Sequence, residues 1–216
     1  MSAPTPNALV TLVRHGRTAH NAAGRFQGWQ GVPLDEMGRA QATSVAARLA
    51  NLEQKPTRLI SSDLPRTRET AEVIGAALGL PAQLEPALRE INVGAWEGLT
   101  FEEVKTRWPD AFTNWPLEAA PGGETLWQVG ERMRAFFDAL QVGENEHVVL
   151  VSHGAAITAL LCELLGWDLA QTWAEGRANH QNTAITTLEL GAGVPSCRTL
   201  ACAAHLETAN LEAGRA

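Results

Sequence analysis

Tyrosine is absent from the 216 residues, and cysteine occurs only three times, at Cys162, Cys197 and Cys202. An odd number of thiols without a CxxC pair argues against a disulfide framework and against a thiolate metal site. The expectation is reduced thiols in a cytoplasmic protein. No apolar run has the length needed to span a bilayer. The opening residues, Met1 to Gly16, lack the basic and apolar stretches of a signal peptide. No cluster of carboxylates or histidines has the spacing of a metal site, so neither a metal nor another cofactor is expected. There is no internal repeat and no low-complexity segment. An excess of positive charge is missing too, since 17 Lys and Arg face 24 Asp and Glu for a formal net charge of −7. That argues against a nucleic acid or an anionic membrane as partner.

What is there reads as globular. With 45% hydrophobic and 19% charged residues, the chain suits a single α/β domain able to bury a full core. Ala8 to Val13 is a short apolar run ending at Arg14-His15-Gly16, the pattern of a buried strand feeding a loop. Asp35 to Leu52 has helical spacing, with Asp35 as N-cap and Val45, Leu49 and Leu52 on one face. Thr57 to Ser61 is a second strand, and Pro65 opens a helix that ends near Gly79 and Pro81. Thr100-Phe-Glu-Glu103 has the capping-box pattern of another helix start. Pro109 to Gly123 reads as a loop, Glu124 to Leu140 as a helix, and His147 to Ser152 as a strand ending at a second His-Gly pair. Ala155 to Leu165 is a buried helix, Thr183 to Leu190 and Cys197 to Ala203 are the last strands, and the tail after His205 reads as loosely held. Strands alternating with helices give an α/β fold, a three-layer αβα sandwich with a mostly parallel central sheet, residues 84–123 being inserted over one end of it. In such sheets ligands sit beyond the carboxyl ends of the strands, where both His-Gly pairs fall.

Although the chain is acidic, arginines gather in a few segments: Arg14, Arg17, Arg25, Arg66 and Arg68. A local basic pocket in an acidic protein suits a small anionic ligand better than a polyanion. Around these arginines run Arg14-His15-Gly16-Arg17-Thr18-Ala19-His20-Asn21, Arg25-Phe26-Gln27-Gly28, Pro33-Leu34 with Gly38, and Ser61-Ser62-Asp63-Leu64-Pro65-Arg66-Thr67-Arg68-Glu69-Thr70-Ala71. Further on stand Leu88-Arg89-Glu90-Ile91, Gly94-Ala95-Trp96-Glu97-Gly98, Pro121-Gly122-Gly123-Glu124, Val151-Ser152-His153-Gly154 and Asn182-Thr183-Ala184. In this order, from about Leu9 to Leu190, the motifs resemble the histidine phosphatase superfamily, the group of phosphoglycerate mutases, fructose-bisphosphatases and small acid phosphatases.

The resemblance implies roles, and the chemistry of each residue agrees. His15 would be the nucleophile, forming a phosphohistidine. A neutral imidazole attacks well near pH 7 when one nitrogen donates to a fixed acceptor and the other faces phosphorus. Gly16 lets the backbone approach closely. Arg14 and Arg66 would grip the phosphoryl oxygens, since a guanidinium offers paired donors and keeps its charge. Arg68 stays divided between a solvated face and an ion pair. His153 would be the second imidazole, donating to the phosphoryl group, with Gly154 beside it. Asn21, Gln27 and the backbone at Gly28 would add neutral donors. Glu90 would be the general acid: a carboxyl beside a bound dianion can hold a proton near neutral pH, give it to an alkoxide leaving group and later take one from water. Glu97 and Glu124 are the alternatives for that role, Glu124 also reading as a residue of a helix N-cap region.

Two positions depart from the family's pattern. Arg17 stands where Glu or Gln is usual, and either adds charge at the pocket rim or points to solvent. Gly31 stands where an Asp commonly precedes the Pro-Leu pair, which leaves open how that loop is braced. Tryptophan, at seven residues, supplies most of the aromatic character. Phe26, Trp29, Trp96, Trp108 and Trp115 fall in segments bordering the pocket. Most tryptophans are core residues, and any that line the pocket would favour apolar or aromatic esters. The reading that follows is a metal-independent phosphatase acting on a small-molecule phosphomonoester. A phosphoglycerate mutase is the first rival, disfavoured because the stretch from Glu90 to His153 is compact. A non-catalytic phosphate-ligand or protein-binding module is the second. A homodimer is a family-level expectation.

Overall fold

The computed structural model describes residues 8–191 and 193–207. Strand β1 (Ala8–Arg14) buries every residue from Leu9 to Val13. A strand apolar on both faces belongs in the middle of a sheet covered on both sides. Accordingly β1 pairs parallel with β4 (His147–Ser152) and antiparallel with β5 (Ile185–Leu190). Beyond β4 lie β2 (Arg58–Ser61) and β3 (Ala82–Leu84), both parallel, and beyond β5 lies β6 (Ser196–Cys202), antiparallel. The six-stranded order is β3-β2-β4-β1-β5-β6, mostly parallel, with the antiparallel pairs gathered at one edge.

The two-residue period of the strands sorts the core into two layers. Val10, Leu12, Ile60, Val148 and Leu150 belong to a cluster with Val129 and Met133 of α6 (Leu126–Ala139) and Ile157 and Leu160 of α7 (Gly154–Leu165). Val13, Leu59, Val149 and Val151 belong to another, with Val45 and Leu49 of α2 (Glu36–Ala50) and Ala71 and Ile74 of α3 (Pro65–Leu78). Helices therefore cover both faces, and the three-layer sandwich expected from the alternation of elements is what forms. Residues between β3 and α6 carry α4 (Phe101–Arg107) and α5 (Pro109–Asn114), and their packing centres on the fully buried Trp96, which meets Phe26, Trp108, Phe112 and Trp115.

Local punctuation explains most boundaries. Asp35 accepts from the Gly38 N–H and caps α2. Pro65 sits at the start of α3 and Gly79, at φ 69°, ends it in the left-handed region. Thr100 and Glu103 form the reciprocal cap of α4. Several expectations need correction. The stretch after Pro109 is not all loop, because the proline takes the first helical position of α5, where its missing N–H costs nothing. The next helix starts at Leu126 rather than Glu124, because Thr125 is the N-cap bonded to Gln128. Thr183 is no strand residue; its φ of 62° makes a turn, and β5 begins at Ile185. Helix α2 stops at Ala50, so Leu52 lies beyond it. Unread were β3, the short α1 (Ala19–Ala22) and α8 (Leu169–Glu175). The tail after His205 lies, from residue 208 on, outside the described residues. Among the described residues no helix is long and apolar enough to cross a membrane.

Candidate active site

Both His-Gly pairs leave the ends of neighbouring parallel strands in register, Arg14 opposite Ser152. The His15 N–H continues the ladder by donating to the Ser152 carbonyl at 3.0 Å. The rings of His15 and His153 then meet with centroids 5.1 Å apart and planes tilted by 60°. His15 is buried, and its Nδ1 lies 2.7 Å from the Gly16 carbonyl oxygen. A carbonyl only accepts, so Nδ1 carries the proton and Nε2 keeps its lone pair. Burial, reinforced by the positive Arg66 and Arg14, holds the His15 pKa well below the ordinary 6.5, which keeps the ring neutral at neutral pH. The loop is pinned from several sides. Asn182 Nδ2 donates to the His15 carbonyl at 3.0 Å, and the Gly16 N–H donates to Thr70 Oγ1 at 3.1 Å. A Cβ on Gly16 would fall 2.4 Å from the Gly38 oxygen, and one on Gly38 would fall 2.0 Å from the Arg17 oxygen, so this pair of glycines lets the loop lie directly on the first turn of α2.

Two guanidiniums flank the nucleophile. Arg66, in the first turn of α3, is fully buried and donates to the carbonyls of Gly28 at 2.8 Å and Gln30 at 3.1 Å. Burial lowers its pKa to about 10, so it stays cationic. Arg14 donates through Nη1 to the His180 carbonyl at 2.5 Å. The buried Nε atoms of both arginines, and the buried Nδ1 of His153, have no partner among the described residues. Buried donors of this kind are normally satisfied, and cationic ones call for an anion.

Glu90 reaches the same place from the loop after β3. Its Oε1 accepts from the N–H groups of Ala156 and Ile91, each at 3.0 Å, and its Oε2 lies 3.4 Å from the Ala155 N–H. The carboxyl group therefore rests on the N-terminal turn of α7, the positive end of that helix. Its backbone is clamped as well: the Glu90 carbonyl accepts from Trp29 Nε1 at 2.8 Å and from Arg132 Nη2 at 2.9 Å. Arg132 pairs with Glu124 at 3.0 Å, and Glu124 Oε2 accepts from the Asn92 N–H at 2.8 Å. Glu97 accepts from the Trp29 N–H at 2.7 Å. Of the three carboxylates only Glu90 lines the cavity; Glu97 and Glu124 hold the segments around it.

The cavity measures about 450 Å³. Its walls include the predicted site residues Arg14, His15, Asn21, Gln27, Gly28, Arg66, Glu90 and Gly154, and the His153 ring packs against that of His15. The side-chain oxygens of Asn21 and Gln27 both lie by Thr18, at 3.1 Å and 2.8 Å from its hydroxyl, which leaves their NH₂ groups as the ends free for a ligand. Phe26 and Trp115 line the cavity, but Trp96 is core, Trp108 packs against it, and Trp29 stacks under Arg89 at 4.7 Å. Arg17 forms an ion pair with Asp35 at 2.8 Å, bracing the cap of α2 rather than the cavity rim. Arg68 is half exposed and only 4.0 Å from Glu72, a solvated face. The loop at Gly31, which lacks a carboxylate, is braced instead by Arg66 through the Gly28 and Gln30 carbonyls. Sequence reasoning missed Phe101, Trp173 and Asn179 in the walls; they carry no motif and arrive from α4 and from α8 and the turn after it. Among the described residues no group of three or more His, Cys, Asp or Glu side chains is placed to hold a metal ion.

The sequence matches the histidine phosphatase superfamily (branch 1) over residues 10–203. A relative from Yersinia pestis (strain Pestoides F), named probable phosphoglycerate mutase GpmB, is 39% identical over 185 residues, covering 83% of this chain and 84% of that one. Among solved structures, the mycobacterial glucosyl-3-phosphoglycerate phosphatase in complex with VO3 has a TM-score of 0.82 at 31% identity, covering 90% of this chain and 99% of that one. Phosphoserine phosphatase from Entamoeba histolytica, in complex with 3-phosphoglyceric acid, has a TM-score of 0.79 at 27% identity, covering 92% and 98%. The match takes in both strand-end imidazoles and the arginines between them, and by it the chain belongs to the histidine phosphatase superfamily.

Proposed function

We propose that the protein is a metal-independent phosphatase that hydrolyses small phosphomonoesters through a phosphohistidine on His15. The state of His15 carries this reading: a neutral ring, its Nδ1 tied to the Gly16 carbonyl, its Nε2 lone pair free, beside two buried arginines with unpaired donors. In this reading Arg14, Arg66, His153 and the amides of Asn21 and Gln27 hold the phosphoryl oxygens, positioning and electrostatics being most of what phosphoryl transfer requires. His15 Nε2 forms the N–P bond as the ester P–O bond breaks, and a protonated Glu90 delivers its proton to the departing oxygen. The ionised Glu90 then takes a proton from a water whose oxygen attacks phosphorus. The N–P bond breaks, phosphate leaves, and His15 and Glu90 return to their starting states.

Rapid quench with labelled ester tests the intermediate. Protein-bound phosphate that survives alkali but not acid is expected, lost together with turnover in His15→Ala. Near-normal turnover in that variant would remove His15 as nucleophile. The Yersinia relative favours a second reading, a phosphoglycerate mutase. Supplying 3-phosphoglycerate with a trace of bisphosphate decides between them: 2-phosphoglycerate marks a mutase, free phosphate a phosphatase. A chain that binds phosphate but turns over no aryl phosphate would be the non-catalytic module.

A further inference from the structure

We infer that the Ser62 hydroxyl fixes the tautomer of His153, making that imidazole a hydrogen-bond donor toward the phosphoryl group. Ser62 follows β2 directly and is fully buried. Its Oγ lies 3.0 Å from His153 Nε2 and 3.4 Å from the Leu64 N–H, which donates to it. The Ser62 carbonyl accepts from Ser61 Oγ at 2.8 Å and from Thr67 Oγ1 at 3.0 Å, so the turn that carries the hydroxyl is held in place.

The two tautomers leave different numbers of buried groups idle. If Nε2 carried the proton, it would donate to Ser62 Oγ. The hydroxyl proton would then lack an acceptor, and the Nδ1 lone pair would be unused as well. If Ser62 donates to Nε2 instead, the hydroxyl is satisfied on both sides. The one idle group is then Nδ1–H, which is buried and has no partner among the described residues. Each arrangement leaves one donor idle, but only the first also strands a buried acceptor, the Nδ1 lone pair, so the second prevails. Burial and the nearby Arg66 keep the ring neutral, so it has a tautomer to fix. Nδ1–H is also the form that suits phosphate, whose ionised oxygens only accept. The two imidazoles are thereby locked to opposite tasks. A carbonyl acceptor on Nδ1 of His15 leaves a lone pair on Nε2, while a hydroxyl donor on Nε2 of His153 leaves a proton on Nδ1. Ser62 acts through His153 and is a positioning residue, and its catalytic consequence rests on the phosphatase reading above.

Long-range proton–nitrogen NMR of the ligand-free wild-type protein at neutral pH reads the tautomer directly. His153 should show a protonated Nδ1 and a pyridine-type Nε2, with a Ser62 hydroxyl proton protected from exchange and close to Nε2. A protonated Nε2 overturns the proposal. Ser62→Ala should mix the two tautomers and lower kcat/KM by on the order of ten- to a hundredfold, by analogy with the loss of a partner that orients a metal-bound imidazole. An unchanged single tautomer with full turnover in that variant also overturns it. Should Ser62→Ala not fold, the wild-type tautomer and hydroxyl proton decide alone. A wild-type chain with the expected tautomer that hydrolyses no ester would refute the phosphatase reading and leave the tautomer assignment standing.

Discussion

Acid should weaken this fold through His180, and the size of the effect can be worked out from its surroundings. The ring is buried, with Nδ1 2.7 Å from the Ala178 carbonyl and Nε2 2.7 Å from Thr186 Oγ1. Thr186 Oγ1 already accepts from the Ala201 N–H at 2.9 Å, so its own proton goes to Nε2. A second ring proton would turn the hydroxyl proton away from the ring and break that bond. Burial, aided by the charge of Arg14, brings the His180 pKa from 6.5 to about 4. Because the folded pKa is the lower one, the unfolded chain takes up the proton first. The His180 contribution to stability is therefore complete above about 6.5, falls as pH drops, and is exhausted near 4. One linked proton gives a slope of about 1.4 kcal/mol per pH unit, and the whole window is worth on the order of 3 kcal/mol. Urea melts of the wild type and of His180→Gln from neutral pH to about 4 isolate this share from that of the other histidines. The glutamine amide can keep both hydrogen bonds without taking up a proton. Whatever its stability at neutral pH, the variant should lose about 3 kcal/mol less than the wild type across the window. Parallel stability curves for the two proteins would refute the reasoning. The loss bears on the site too, since the His180 carbonyl receives Arg14.

Three other outcomes are expected. In Glu90→Gln, kcat/KM for an alkyl phosphate should fall by about 10²-fold or more, while a nitrophenyl ester, whose leaving group needs no proton, should suffer much less; equal losses would defeat the general-acid assignment. Gly38→Ala should lower stability by about 1–3 kcal/mol and impair turnover, because its Cβ meets the Arg17 oxygen at 2.0 Å and must push the His15 loop away; an unchanged melt and rate would contradict this. The ring resonances of His15 and His153 should pass through the ordinary imidazole range near 6.5 without titrating, since burial and the arginines hold both pKa values well below it; a midpoint near 6.5 for either would be inconsistent with the site.

Much of the fold was legible because its signals are local. Pro65 and Gly79 bound α3, and the Thr100–Glu103 pair opens α4, each within a few residues. Misreadings came where one residue type serves two ends. Pro109 reads as a break but begins α5, and Asp168 with Gly176 frames α8, a cap pair without a strong apolar period between them. The three residues of β3, Ala82 to Leu84, are too few to show a period. At the site, His15, Arg66, Glu90 and His153 stood out by motif, whereas the seat of the Glu90 carboxyl on the first turn of α7 joins residues about 65 positions apart and leaves no local trace. The same holds for Arg17. Its neighbours in sequence did not reveal Asp35 as its partner, because the pairing exists only once the loop lies on α2.

The meeting of the two imidazoles has a consequence for how such a site can change. Each follows the last paired residue of adjacent strands, and the 5.1 Å between their rings is close to the ~4.8 Å that separates any two hydrogen-bonded strands. The sheet spacing thus sets where the two imidazoles start, and the side-chain torsions bring the rings together. A change of register comes only in steps of one residue, about 3.3 Å, and each would also turn every core side chain of the strand to the opposite face. The cavity walls, supplied by loops and short helices, are under no such quantisation. Change in a protein built this way runs most easily along the walls, altering what is bound, while the two imidazoles keep the places the paired strands give them.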